Sequence, residues 1–328
     1  MYIEQCGKLT GQKLNIWKDF MEKSGLIPDL SVSRTVLIWD DDLLIASGSR
    51  QDNLIKCIAV DPQRQGEGLT ATLITSLRQE AFSQGLNHLF LYTKPENSDM
   101  FSSLFFYPIA QTDKVLLMET KKNGISQFLS SLPKADTAGT IGSIVMNCNP
   151  FTLGHQYLIE TAAKECDHLY VFAVSEDKSE FSYEDRLEMM KRGTCHIPNI
   201  SILPTGPYLI SSSTFPDYFL KEREKVDEIH CILDVEVFSK HFAPHFSITR
   251  RYVGTEPISK ATDCYNTALK ENLPKAGIEV KEIPRLTADG SPISASEVRN
   301  MISKNRIDSL KNLVPKTTFE YLKSKNLI

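Results

Sequence analysis

The sequence predicts an α/β protein in two parts, a mixed α+β domain followed by a domain built on a parallel sheet. Three observations carry this expectation. Short apolar runs joined by tight turns fill the first half, and apolar runs alternate with helical stretches in the second. Between them Gln127 to Thr140 reads QFLSSLPKADTAGT, with no helical or strand period after Leu132. The expected boundaries are a first domain over 1–132, a linker over 133–140 and a second domain over 141–328.

In the first half, strands are expected at Thr35 to Trp39, Leu43 to Ser47, Leu54 to Val60, Leu89 to Thr93 and Val115 to Glu119. Asp40-Asp41-Asp42 marks a tight turn, so the first strands should pair antiparallel. Leu69 to Gln84 is amphipathic at helical period, and a short helix is expected near Met100. In the second half the expected strands are Ile144 with its neighbours, Tyr170 to Val174, Ile200 to Leu203, Ile229 to Leu233 and Ile278 to Ile283. Helices are expected at Gln156 to Lys164, Tyr183 to Arg192 and Thr214 to Lys225.

Composition narrows the class. The 328 residues are 41% apolar and 24% charged, enough for two cores, with a net charge of −4 and no block of like charge, so nucleic acid is not the expected partner. No apolar run approaches a membrane span and the amino terminus lacks the apolar centre of a signal peptide, so a cytoplasmic location is expected. Seven scattered cysteines without a Cys-x-x-Cys pair read as reduced thiols, Cys148 among them as a packing residue. No metal-ligand cluster is visible.

The richest chemical signal is Asn147-Cys148-Asn149-Pro150-Phe151-Thr152-Leu153-Gly154-His155, a turn from a strand into a helix. Free N–H groups at a helix start, with the helix dipole behind them, suit phosphate, and Gly154 leaves room for it. Thr152 and His155 add a hydroxyl and an imidazole; alternatively, Thr152 is simply a cap and His155 packs in the first turn. Ile293-Ser294-Ala295-Ser296-Glu297-Val298-Arg299 is a second helix start, in which Ser294 and Glu297 can form a capping box and Arg299 can grip phosphate oxygens. Lys178 follows a strand end and could reach a phosphate or be merely solvated. Arg186 is expected to face an acidic neighbour along its helix, and Ser211 to Thr214 to form a loop and helix cap.

In the first half, Asp61-Pro62-Gln63-Arg64-Gln65-Gly66-Glu67-Gly68-Leu69-Thr70 joins a strand to the long helix. It resembles the acyl-CoA loop of the GNAT acetyltransferases in two registers, one on Gln63, Gly66 and Gly68, the other on Gln65, Gly68 and Thr70. The resemblance implies a GNAT-like domain whose loop could hold a CoA-like arm. Tyr107 is available beside a thiolate leaving group, but no base stands out, so an amine acetyltransferase is the less favoured reading.

The Thr-x-Gly-His and Ser-x-Ser-x-x-Arg segments are similar to those of the Rossmann-like, HIGH-superfamily nucleotidyltransferases. With the GNAT-like half, and with Ser213-Thr214-Phe215-Pro216-Asp217-Tyr218-Phe219, Arg251-Tyr252-Val253-Gly254-Thr255-Glu256-Pro257 and Glu282-Ile283-Pro284-Arg285, the chain resembles the citrate lyase ligase family over its whole length. That resemblance implies an acid–thiol ligase. ATP and acetate would form acetyl adenylate, and the thiol of a dephospho-CoA-derived arm on the acyl carrier protein subunit of citrate lyase would take the acetyl group. It implies His155, Thr152 and Arg299 as catalytic residues, with Asn147, Asn149, Phe151, Gly154, Lys178, Ser294 and Ser296 at the ATP and Mg²⁺ without a dedicated protein cage. Gln63, Gln65, Gly66 and Gly68 are the implied contacts of the arm. The competing expectations are an adenylyltransferase for a phosphorylated small molecule and an amine acetyltransferase.

Overall fold

The computed structural model describes residues 1–209, 218–220, 226–256, 260–288 and 290–328. The expected cap at Ser211 to Thr214, nearly all of the helix expected over Thr214 to Lys225, and Pro257 lie outside them. Two compact units result, Met1–Gly124 with Phe215–Leu233, and Ile125–Thr214 with Asp234–Ile328.

The first unit runs β1 (Tyr2–Cys6), α1 (Gly11–Lys23), β2 (Arg34–Asp40), β3 (Leu43–Gln51), β4 (Leu54–Val60), α2 (Leu69–Ser83), β5 (Phe90–Thr93), α3 (Ser98–Ser103), β6 (Tyr107–Gln111) and β7 (Leu116–Glu119). Its seven-stranded sheet has the order β1-β2-β3-β4-β5-β7-β6, antiparallel except for β4 against β5. Leu69, Leu73, Leu77 and Ala81 recur at helical spacing on α2 and bury one stripe against Val36, Ile38, Ile45 and Ile55 of the sheet. This is the mixed sheet expected from the sequence, with β1, α1 and β6 added to the elements read there.

Strand β4 does not stay beside β5. The parallel ladder covers only Leu54↔Phe90 and Ile55↔Leu91. Two residues further Cys57 adopts φ +55°, and Cys57 with Ile58 opposes the single residue Gly48, a bulge that bends β4. The two strands therefore part towards their carboxyl ends.

The second unit contains α4 (Gly124–Ser130), β8 (Ile141–Met146), α5 (Leu153–Ala163), β9 (His168–Ala173), α6 (Tyr183–Thr194) and β10 (Ile200–Pro204). Helix α7 (Val226–Val237) belongs to the first unit up to Leu233 and to the second from Asp234, and continues through a π-helical turn over Phe238–Phe242; then come α8 (Ala243–Phe246), β11 (Arg250–Gly254), α9 (Lys260–Asn272) and β12 (Glu279–Ile283). A small hairpin, β13 (Thr287–Ala288) with β14 (Ser291–Pro292), leads to α10 (Ala295–Ser303) and α11 (Lys316–Ser324). All five main strands are parallel, in the order β10-β9-β8-β11-β12. The order reverses between β8 and β11, the place where doubly wound sheets hold ligands. Every residue of β9 is buried, as a strand covered on both faces requires.

Two expectations are corrected. The run Ile229 to Leu233 is not a strand: it lies inside α7, whose apolar pattern continues through Val235 and Val237, with Asp227 and Glu228 favourably placed in the first turn. The strand taking its place is β11, which begins with two arginines, Arg250 and Arg251, and so does not read as apolar. Among the described residues no helix is long and apolar enough to cross a membrane.

Candidate active site

Strands β8 and β11 are paired only through Gly142↔Arg250 and Ser143↔Arg251. Beyond Arg251 they separate, and a cavity of roughly 430 Å³ opens along Ile144 to Met146 on one side and Tyr252 to Gly254 on the other. Thr152, Gly154 and His155 at the start of α5, and Ser294 and Ser296 at the start of α10, line it together. The two motifs, about 140 residues apart by their numbering, thus meet in space: a Cβ placed on Gly154 would stand 3.5 Å from the Ile293 carbonyl. That is an ordinary contact, so packing does not demand glycine at 154. Its value is the open approach to the helix start.

Thr152 is the N-cap of α5 and holds His155 in a reciprocal box. The Thr152 Oγ1 accepts the His155 N–H at 3.3 Å, and His155 Nδ1 accepts the Thr152 N–H at 3.0 Å. The cap and the imidazole are one device. Because Nδ1 accepts, the single proton of the neutral ring sits on Nε2, where it can be donated. Burial, helped by the nearby Arg285 guanidinium, pushes the His155 pKa down to about 4, so the ring is neutral at pH 7. The ring also stacks on fully buried Phe151, centroids 5.9 Å apart.

This shift has a consequence for stability. Between its unfolded pKa of 6.5 and its folded pKa of about 4, the unfolded chain binds a proton that folded His155 does not. Stability falls as pH falls through that window, by about 2 kcal/mol between pH 7.5 and pH 5. Urea unfolding at the two pH values is expected to show this loss in the wild type and a smaller one in His155→Gln; equal losses would contradict it.

The loop before Thr152 is built from inside. Arg186, at no measurable exposure, donates Nη1 to the Asn147 carbonyl (2.9 Å), to Asn147 Oδ1 (2.6 Å) and to the Val174 carbonyl (2.9 Å). Its Nη2 donates to the Glu176 carbonyl at 2.6 Å and its Nε to the Phe181 carbonyl at 3.2 Å. The expectation that Arg186 faces an acidic neighbour along its helix is therefore corrected; backbone carbonyls surround it, because the turn after β8 and the loop between β9 and α6 converge on its side chain. Asn149 Oδ1 accepts the Phe181 N–H at 3.1 Å. Asn147, Asn149 and Phe151 thus shape the turn rather than line the cavity, and buried Cys148 has its thiol pKa pushed up by burial.

Arg299 reaches back from α10. Its Nη1 donates to the Asn149 carbonyl at 2.5 Å and its Nη2 to Ser296 Oγ at 3.1 Å, with Glu180 3.5 Å from Nε. It ties the two helix starts together from behind the cavity wall. Ser294 caps α10 through the Ser296 N–H (3.2 Å) and not through the box with Glu297 read from the sequence, so Glu297 is replaced in that role by a residue one position nearer. Lys178 is away from the lining, 4.0 Å from Glu176.

Arg285 was missed as a site residue. It lines the cavity, its guanidinium is paired with Glu256 at 2.5 Å, and its backbone N–H donates to Thr255 Oγ1 at 3.0 Å. Arginine directly after Ile-Pro at the end of a strand is the signal that could have found it. Among the described residues no group of three or more His, Cys, Asp or Glu side chains could hold a metal ion.

The first unit has its own cavity, roughly 750 Å³, where β4 and β5 part. Gln65, Gly66, Gly68 and Thr70 line it beside Val60 and Thr93, whereas Gln63 and Tyr107 are not among its lining residues. Gly66 and Gly68 have φ of +88° and +76°, and Gly68 caps α2, so the loop bares backbone N–H groups at a helix start. Tyr218 and Phe219, from a motif quoted above, complete the lining; the buried Tyr218 hydroxyl donates to the Tyr92 carbonyl at 3.2 Å.

A parallel sheet whose switch-point cavity is walled by a Thr-x-Gly-His helix start defines a nucleotidyltransferase-like domain, here accompanied by an acetyltransferase-like unit. The citrate lyase ligase C-terminal domain matches residues 141–322 and the GNAT acetyltransferase family matches residues 34–101. The chain belongs to the citrate lyase ligase family, a family of ligase enzymes. It is 43% identical over 309 residues to the [citrate [pro-3S]-lyase] ligase of Klebsiella pneumoniae, covering 92% of this chain and 90% of the other. To the Escherichia coli (strain K12) ligase it is 38% identical over 312 residues, 93% and 89% of the two chains. A phosphopantetheine adenylyltransferase of Symbiobacterium thermophilum is 39% identical over 64 residues, 19% of this chain and 40% of that one.

Proposed function

We propose that this chain is an ATP-dependent ligase acting on citrate lyase, joining acetate to the thiol of the dephospho-CoA-derived arm on the acyl carrier protein subunit. The single observation that carries the reading is the meeting of two capped helix starts, Thr152 and Ser294, at one switch-point cavity. Membership of the citrate lyase ligase family supports the choice of substrate.

In this reading an acetate oxygen attacks the α-phosphorus of ATP, pyrophosphate leaves, and the arm's thiol then displaces AMP from acetyl adenylate to leave a thioester. His155, through Nε2–H, and the start of α5 stabilise charge gathering on the phosphates. Ser294, Ser296 and Arg285 face the same space, and Arg299 fixes the two helix starts at their working separation. When bound, Mg²⁺ neutralises phosphate charge, held mainly by the phosphates themselves. With all seven cysteines as free thiols, we assign the enzyme to the cytoplasm.

Acetate-dependent exchange of labelled pyrophosphate into ATP tests the reading. Exchange without acetate, or none with it, sinks it. The short likeness to a phosphopantetheine adenylyltransferase favours one second reading, transfer of AMP to a phosphorylated small molecule, and the same assay separates the two by which acceptor supports exchange.

The first-unit cavity takes the arm in this scheme, its phosphates at Gly66 and Gly68. A Cβ at either glycine would meet nothing within 4 Å, so valine there acts through the positive φ and by filling the approach. Gly66→Val with Gly68→Val is expected to raise the KM for carrier protein by about tenfold or more while pyrophosphate exchange is unchanged, since a lost anion contact at a helix start is worth about 1–2 kcal/mol. Unaltered modification of the carrier would refute the placement.

A further inference from the structure

At the fork where β8 and β11 part stands Arg251, the last residue of β11 paired with β8 and one of the residues lining the cavity. It is 1% exposed, and its Nε and Nη1 find no hydrogen-bond partner among the described residues. Its neighbour Arg250 is engaged by Glu279, the Glu165 carbonyl and the Tyr252 hydroxyl. Arg186, equally buried, makes five bonds. A buried guanidinium that serves only structure is saturated, because unmet charge in a dry site is costly. Arg251 is not saturated, and it borders a cavity.

The surroundings define what would fit. The guanidinium carbon lies 4.7 Å from the Phe238 ring centroid, which gives the site an apolar wall. Asp234 is the nearby opposite charge, and it accepts from the Tyr265 hydroxyl at 2.5 Å. One cation beside one carboxylate cannot balance a multiply charged phosphate. It can hold a monoanion with a short apolar tail. The phosphate-type donors of the site, His155 and the two helix starts, lie at the strand ends, three residues or about 10 Å along β11 from Arg251.

We propose that Arg251 forms a buried subsite for the carboxylate of a small monocarboxylic acid, at the inner end of the nucleotide cavity. The proposal rests on the adenylating reading above and deepens it: Arg251 positions one carboxylate oxygen while the other is presented to the α-phosphate. In the exchange assay Arg251→Gln should raise the KM for acetate about 100-fold, as loss of a buried charged partner does, with the KM for ATP little changed. Direct binding provides the independent arm: acetate should raise the melting temperature of the full-length wild type above that in equal sodium chloride, and should not do so for Arg251→Gln.

An unchanged acetate KM overturns the proposal, as does a matching rise in the KM for ATP, which would place Arg251 among the phosphate contacts. If the wild type shows no acetate-dependent exchange, the adenylating reading fails. The subsite then stands or falls on acetate-induced stabilisation alone. Should Arg251→Gln not fold, Arg251→Lys is read in the same two measurements, with the same direction expected because an ammonium cannot reproduce the guanidinium's spread of donors.

Discussion

His155→Ala is expected to lower acetate-dependent pyrophosphate exchange by about 10²–10³-fold, the loss typical of one donor aimed at developing charge. The imidazole is held by its own helix cap, Nδ1 on the Thr152 N–H at 3.0 Å, so its Nε2 proton is oriented before substrate arrives. With a pKa of about 4 it stays neutral across the working range, which makes it a hydrogen-bond donor rather than an acid that must be recharged in each turnover. The activity due to this group should therefore be flat with pH from about 6 upward. Alanine also removes half of the capping box, at about 1 kcal/mol of stability. His155→Gln separates the two losses, since its amide nitrogen can donate from nearly the place of Nε2 and should recover part of the rate. Retention of a tenth or more of wild-type exchange by His155→Ala would remove the residue from the chemistry.

The largest expected effect on stability is at Arg186. Arg186→Met keeps the length and apolar stem but strands the carbonyls of Asn147, Val174, Glu176 and Phe181. Breaking one side of such a buried charged network costs about 3–5 kcal/mol. Lysine has three donors on one nitrogen and cannot span carbonyls converging from two segments, so Arg186→Lys should also lose most of that amount. Urea unfolding measures both. A loss below about 1 kcal/mol for Arg186→Met would show that the carbonyls find other partners. Nucleotide binding should weaken with stability, because Asn147 leads directly into the turn that sets Thr152.

Much of the fold could be read because local and global signals agree. Leu69 to Ser83 has a helical stripe, and β9 is apolar from Leu169 to Ala173 because both its faces are covered. The two helix starts were legible from Thr152 and Ser294 for the same reason: a cap is a local event. What failed was non-local. Arg250 and Arg251 made β11 look like surface, although one arginine is paired at the sheet edge and the other is buried by Phe238. Ile229 to Leu233 looked like a strand because its apolar cluster is dense, and only the continuation to Val237 reveals a helix. Arg186 could not be placed from sequence, since its partners are carbonyls brought near by the sheet, whereas Arg285 left a local signal at its strand end but its partner Glu256 comes from beyond the end of another strand.

The make-up of the first unit has a covalent consequence. Because Phe215–Leu233 belongs with Met1–Gly124, the chain passes between its units three times, at Gly124/Ile125, Thr214/Phe215 and Leu233/Asp234. A single scission anywhere in 133–140 frees residues 1–132 as a separate polypeptide, while Phe215–Leu233 of the first unit stays covalently joined to the second. A polypeptide ending at residue 132 lacks Tyr218 and Phe219, and with them part of the wall around Gly66 and Gly68. The acetyltransferase-like unit is thus encoded as a discontinuous piece, completed only after most of the nucleotidyltransferase-like sheet has been translated.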